Sequence, residues 1–339
     1  MIGTGGIAQG AHMPAYAALP NVDIVAVCDA NEKAVADAAK KFNVPHVFSD
    51  YREMLKLDGL DAVDICTPND MHAEPAIAAV AAGKHVLVEK PIARNAAEAS
   101  TMVEAARKAG RKLMVAHNWR FSTGGAALKR FIDAGDLGEM YFSKVIAIRR
   151  RGIPSWGVFT QKDKQGGGPL IDIGVHMIDL ALWLLGHPKP VAASSQCYAK
   201  FGTREGIFNM WGQWDTKNFT VEDFATALIR FESGSTMYVE SSFMANIDHD
   251  ICNVQILGTD GGCELAPLKL YREEHQMVVD VTPVMLPNIN SYEAEVRAFV
   301  NSIIGDAEPP IPGEQALMTA KIIDAIYESS EKGKEVAIS

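Results

Sequence analysis

The chain has 339 residues, with 32 basic side chains against 42 acidic ones and a formal net charge of −10. That balance, with no basic stripe, excludes a nucleic-acid reader, and the 48% apolar and 22% charged fractions exclude a disordered chain. The length exceeds one typical domain and suits two.

The chain opens Gly3-Thr4-Gly5-Gly6-Ile7-Ala8, a GxGxxA pattern running into a helix-like stretch. The first Gly allows a tight turn, the second lets backbone approach a pyrophosphate, and a small third residue lets helix and strand pack closely. The amides at the start of the helix would then face the phosphates. Only Met1 and Ile2 precede Gly3, where a first strand takes roughly four to six residues. A truncated first strand, or a start lying further upstream, is therefore expected.

Apolar runs at 24–28, 62–66, 85–88 and 113–116 alternate with helical spacing at 32–42, 74–82 and 96–109, and Gly83 and Gly110 supply helix stops. This alternation predicts a doubly wound parallel sheet over residues 1–120, an α/β Rossmann domain whose ligands bind at the carboxyl ends of the strands. Beyond it the texture changes. One helix near 123–134 leads to a strand at 141–149, a loop, and a helix over 169–185 with Pro169 in its first turn and Gly186 past its end. Strands follow at 191–201, 224–231, 236–243, 252–257 and 264–271 with no helices between them, which predicts a largely antiparallel sheet. Helices at 291–304 and 314–331 close the chain. Residues 121–339 thus read as a second, α+β domain.

Four places carry chemistry. Asp29 stands 24 residues after Gly5 at a strand end, where a carboxylate accepts from adenosine ribose hydroxyls and repels a 2′-phosphate; this favours NAD over NADP. The alternative is a strand-end cap for the next helix. Thr67-Pro68-Asn69 with His72 end the next strand at the crevice edge, although His72 also suits a first-turn helix residue with a local hydrogen bond. Glu89-Lys90-Pro91 end the strand after that, where a nicotinamide would lie; alone, Lys90 could equally be an exposed strand-end lysine. Finally, Asp172 and His176 lie four residues apart and share one face of an otherwise apolar helix, with Asp179 one turn later. Metal binding, acid/base chemistry and a structural hydrogen bond all fit that pair, but no second ligand cluster supports a metal.

In this order, the Gly3–Ala8 turn, Thr67-Pro-Asn69 with His72, Glu89-Lys90-Pro91, Asn118-Trp-Arg-Phe121 and Gly166-Gly-Gly-(x)3-Asp172-x-Gly174-x-His176-(x)2-Asp179 resemble the Gfo/Idh/MocA family of NAD(P)-dependent oxidoreductases. The resemblance runs from Gly3 to the last helix. It implies a Rossmann domain plus a C-terminal domain with an open, mostly antiparallel sheet used in oligomers, here a dimer or tetramer. It also implies hydride transfer at a secondary hydroxyl of a sugar or cyclitol. Gly3, Gly5, Gly6, Ile7, Ala8, Asp29, Thr67, Pro68, Asn69, His72, Glu89, Lys90 and Asn118 would then hold the cofactor. By this resemblance Lys90 is the catalytic lysine, Asp172 a substrate-orienting carboxylate and His176 the general acid/base. Arg120 falls where the family lines the substrate region.

Residues in the loop 149–165, Trp156 among them, and His249 in the 246–250 turn could add ring stacking or hydroxyl contacts; loop packing fits them as well. A glycosidase that recycles its NAD and a non-catalytic NAD-bound regulator are the competing functions, and retention of Lys90 and His176 favours an enzyme. Cys28, Cys66, Cys197, Cys252 and Cys263 show no CxxC pairing and fit a reducing cytosol. No secretory leader and no apolar stretch near 18 residues are evident, so export and a membrane span are not expected and a cytoplasmic place is.

Overall fold

Ile2 is the centre of the first sheet. A computed structural model describes every residue from Met1 to Ser339, and in it Ile2 bridges Cys28 and Ile65, both in parallel. The Met1 ammonium donates to the Ala26 carbonyl at 2.8 Å and the Ile2 N–H to the Asp64 carbonyl at 2.8 Å. Around it lie β1 (Ala26–Cys28), β2 (His46–Phe48), β3 (Ala62–Ile65), β4 (His85–Glu89) and β5 (Leu113–Ala116). The spatial order is β2, β1, Ile2, β3, β4, β5, parallel throughout. Counting the Ile2 segment as the first strand, this is the doubly wound order 3-2-1-4-5-6.

Local signals end the helices where the sequence places them. The Asn31 side chain accepts from Ala34 N–H and opens Glu32–Phe42; Asn95 does the same for Ala96–Ala109, which stops at left-handed Gly110. β1 is shorter than the apolar run 24–28 predicts. β2 and the short helix Tyr51–Met54 were not anticipated, because β2 is an edge strand whose His46 and Val47 stay exposed and so lacks the apolar signal of a core strand.

The chain divides into two compact units: Met1–Phe121 with Asn290–Leu317, and Ser122–Ile289 with Met318–Ser339. The return of 290–317 to the first unit is not readable from periodicity, which shows that a helix has an apolar face but not what covers it. Here helix Ser291–Ile304 buries Val296 and Phe299, and its Tyr292 ring lies 6.0 Å from His12.

The second unit is built on β6 (Met140–Ile148), β7 (Pro190–Tyr198), β8 (Phe224–Phe231), β9 (Thr236–Ser242), β10 (Ile251–Gly258), β11 (Gly261–Glu264), β12 (Lys269–Glu274), β13 (Met277–Val281) and β14 (Val336–Ala337). They form one nine-stranded sheet in the order β13-β12-β11-β10-β6-β9-β8-β7-β14. Only β6 and β9 pair in parallel. The expected single strand 264–271 is split into β11 and β12 by a turn, and β13 and β14 are additions at the two edges.

The helix expected over 169–185 forms with one change. Leu170–Gly174 is a π turn, and Val175–Leu184 is α-helical. This region also corrects the expectation of no long apolar stretch: helical residues Lys162–Leu184 contain an 18-residue window of mean hydropathy 1.3. That window is 78% buried, as befits a core helix lying on a sheet.

Candidate functional site

The glycine turn is built by steric exclusion. Gly3 has φ +86°, and a Cβ there would lie 2.6 Å from the Cys66 carbonyl oxygen. Exposed Gly5 and Gly6 face open space, with nothing within 4 Å of a would-be Cβ. The turn enters a π turn at Ala8–His12, followed by α-helix Met13–Ala17. Asp29 braces this turn: one carboxylate oxygen accepts from Thr4 N–H at 2.7 Å and Thr4 Oγ1 at 3.0 Å, the other from Asn31 N–H at 2.8 Å. Capping of the next helix falls to Asn31, not Asp29. Bare, outward-facing backbone at a helix start, with a carboxylate at the neighbouring strand end, fits a dinucleotide.

The ends of β3 and β4 are tied to each other. Thr67 Oγ1 donates to the Met71 carbonyl at 2.9 Å, and Asn69 opens the 3-10 turn Asn69–Met71. The His72 ring is fully buried, with Nδ1 2.8 Å from the Pro91 carbonyl and Nε2 2.9 Å from that of Thr67. Burial lowers its pKa, against the raising by those two carbonyls. Glu89 uses both oxygens: Oε1 lies 2.9 Å from His12 Nε2, and Oε2 accepts from Lys90 N–H at 2.9 Å. His12 Nδ1 in turn lies 2.8 Å from Asp64 Oδ2. Burial is the largest influence on His12 and opposes its charge, but Asp64 and Cys66 together outweigh it and hold the imidazole well above its ordinary pKa.

After β5, Asn118 Nδ2 donates to Ser291 Oγ at 3.3 Å, and the buried Arg120 guanidinium donates to Gln315 Oε1 at 2.5 Å. Sequence reasoning missed His12 and Asp64. A signal existed: an aspartate inside the apolar strand Ala62–Ile65 needs a buried partner.

In the second unit Gly166 is left-handed, with φ +87°, and the next two glycines are explained by two residues far along the chain. A Cβ on Gly167 would stand 1.9 Å from the Tyr327 hydroxyl, and one on Gly168 2.2 Å from the Glu222 carbonyl oxygen. The buried Glu222 carboxylate accepts from Gly168 N–H at 2.9 Å, Leu170 N–H at 3.1 Å and the Tyr327 hydroxyl at 2.9 Å. Burial raises its pKa against the lowering by those donors. Ser241 Oγ donates to the Pro169 carbonyl at 2.8 Å. These contacts fix the launch of the helix that carries half-buried Asp172 and His176.

Burial lowers the pKa of Arg149, and the charges of Asp172 and Asp250 offset part of that. Its guanidinium lies over Trp211 at 4.9 Å and Phe243 at 5.5 Å, and Trp211 meets Trp156 edge-on at 5.1 Å. Trp156 is 53% exposed, so an open aromatic surface continues from Arg149. His249 is exposed and pairs with adjacent Asp248 at 2.9 Å. Glu222, Tyr327 and Trp211 carried no local signal in the sequence.

The profile described as an oxidoreductase family with an NAD-binding Rossmann fold matches residues 1–117, and that of the same family's C-terminal alpha/beta domain matches 129–338. The chain belongs to the Gfo/Idh/MocA oxidoreductase family. Among similar proteins, D-glucoside 3-dehydrogenase of Escherichia coli (strain K12) is 34% identical over 339 residues, covering 100% of this chain and 96% of its own. Levoglucosan dehydrogenase of Pseudarthrobacter phenanthrenivorans is 31% identical over 279 residues, 76% of this chain and 70% of its own. A solved levoglucosan dehydrogenase in complex with NADH and L-sorbose superposes with a TM-score of 0.88 at 25% identity, covering 100% of this chain and 97% of that one. As a Gfo/Idh/MocA oxidoreductase, the chain has a first unit that is an NAD-binding Rossmann domain and a second that is the family's α/β domain with a mostly antiparallel sheet.

Proposed function

We propose that this enzyme moves a hydride between NAD and a secondary hydroxyl of a sugar, glycoside or inositol. The observation that carries the reading is the Asp172–His176 pair, half-buried four residues apart on a helix in an oxidoreductase with an NAD-binding domain. The E. coli relative named D-glucoside 3-dehydrogenase spans the whole chain and supports a carbohydrate substrate.

Bound NAD supplies the hydride acceptor. The Gly3–Ala8 turn holds its pyrophosphate, Asp29 its adenosine ribose in preference to NADP, and Thr67, Pro68, Asn69, Glu89 and Asn118 frame the rest of it; fully buried His72 instead braces Thr67 and Pro91 from behind. His176 takes the hydroxyl proton, since imidazole exchanges protons near neutrality. Lys90 donates to the oxygen as negative charge develops on it. Asp172 anchors a substrate hydroxyl. Trp156 and His249 complete the substrate contacts, Trp156 by stacking on an apolar sugar face, whereas buried Arg120 is held by Gln315 and braces the region. Exposed Met277 and Val278 on edge strand β13 support assembly into a dimer or tetramer.

The test is reduced-cofactor absorbance with a panel of sugars, glycosides and inositols, for the parent, His176→Ala and Lys90→Ala. Each variant should lose about 10²–10⁴-fold in kcat while still binding NADH by fluorescence titration. Near-normal turnover by His176→Ala overturns the assignment, and a monomer by light scattering overturns the assembly.

A further inference from the structure

We propose that His12 is a positioning residue for Glu89 and Lys90, clamping the end of β4 to the nucleotide-binding helix. The inference extends the functional reading above, which assigns roles to Glu89 and Lys90 but none to His12. Three residues from separate elements form one polar chain. Asp64 on β3 meets His12 Nδ1 at 2.8 Å, His12 Nε2 meets Glu89 Oε1 at 2.9 Å, and Glu89 Oε2 accepts the Lys90 N–H at 2.9 Å. The His12 ring is fully buried, Asp64 is 3% exposed and Glu89 8%.

The stereochemistry makes this arrangement specific. A carboxylate only accepts, so a ring between two carboxylates must donate from both nitrogens. Only the imidazolium does so, and each contact is then a charge-assisted hydrogen bond. The groups facing the ring are consistent with that charge: Asp64, Glu89 and Cys66 from the strand ends, Tyr16 from its own helix and Tyr292 from Ser291–Ile304, with the Met1 ammonium close to Asp64. Because His12 lies in the π turn that follows the glycine turn, the clamp joins the element that receives the cofactor to the strand end that carries Lys90.

The test compares the full-length parent with His12→Gln and Asp64→Asn. Amide hydrogen exchange should find the Lys90 N–H protected in the parent and at least tenfold faster in folded His12→Gln. In that variant kcat should fall at least tenfold, with substrate KM and NADH affinity each within threefold of the parent. Asp64→Asn leaves the ring facing Glu89 alone, so its kcat should acquire a new loss with rising pH in the neutral range, which the parent lacks. A parent Lys90 amide exchanging at free-peptide rates overturns the proposal without any variant. So does unchanged exchange and kcat in folded His12→Gln, or an Asp64→Asn pH profile identical to the parent's. If no sugar or cyclitol is turned over by the parent, the functional reading fails instead, and amide exchange still decides the role of His12.

Discussion

The Glu222 carboxylate receives the Gly168 N–H at 2.9 Å across 54 residues of chain. With Leu170 N–H at 3.1 Å it satisfies two amides at the helix start that have no intrahelical partner. Glu222→Ala would strand both amides and the Tyr327 hydroxyl, at about 3 kcal/mol. Chemical denaturation should show that loss. Turnover should fall more than NADH affinity, because the displaced helix carries Asp172 and His176 and not the glycine turn.

The glycine triplet should be intolerant for steric reasons that can be separated. Gly167→Ala meets the Tyr327 hydroxyl at 1.9 Å, so it should cost about 1–3 kcal/mol. Adding Tyr327→Phe removes the blocking oxygen and should recover part of the melting temperature. Gly168→Ala meets the Glu222 carbonyl at 2.2 Å, and Tyr327→Phe should do nothing for it. Equal recovery of both variants would contradict the geometry.

Asp29 braces Thr4 at 2.7 Å, and in the proposed function it also discriminates against a 2′-phosphate. Asp29→Ala should weaken NAD binding by about tenfold, the worth of one charge-assisted hydrogen bond. It should also narrow the gap between NAD and NADP, which parallel cofactor titrations would read. A variant that weakens binding while keeping the same cofactor ratio would leave Asp29 with the bracing task alone.

The pH dependence of stability follows from His12. Its pKa is raised well above the ordinary 6.5 in the folded state. The stabilisation is therefore fully present below about pH 6.5 and is lost as pH rises from there through the folded value. Urea midpoints measured from pH 6 upward should fall more steeply for the parent than for His12→Gln. Identical slopes would show that the ring is not charged in the native protein.

Much was legible from local chemistry. The strand–helix alternation and the cap residues Asn31, Asn95 and Gly110 each act within a few residues of themselves, and the glycine turn and Asp29 form a short motif at fixed spacing, so spacing exposes them. β2 and β13 were not legible, because edge strands carry too little buried apolar surface to mark the sequence. The helix carrying Asp172 and His176 was legible from Pro169 and Gly186 at its ends, but the π turn at Asp172 was not, since it depends on what packs against Pro169 and Gly174.

By itself, then, the sequence determined that the chain begins with a dinucleotide-binding half and that Asp172 and His176 lie on one helical segment. Those features are encoded by periodicity, glycine stereochemistry and short spacings. Only the tertiary structure decided that 290–317 returns to the first unit. It alone set His12 between Asp64 and Glu89, and set Tyr327 against Gly167 and Glu222 against Gly168. Each of these is a contact between residues tens of positions apart. Complementary shape and the pairing of buried charge select such contacts, and neither leaves a trace in local composition.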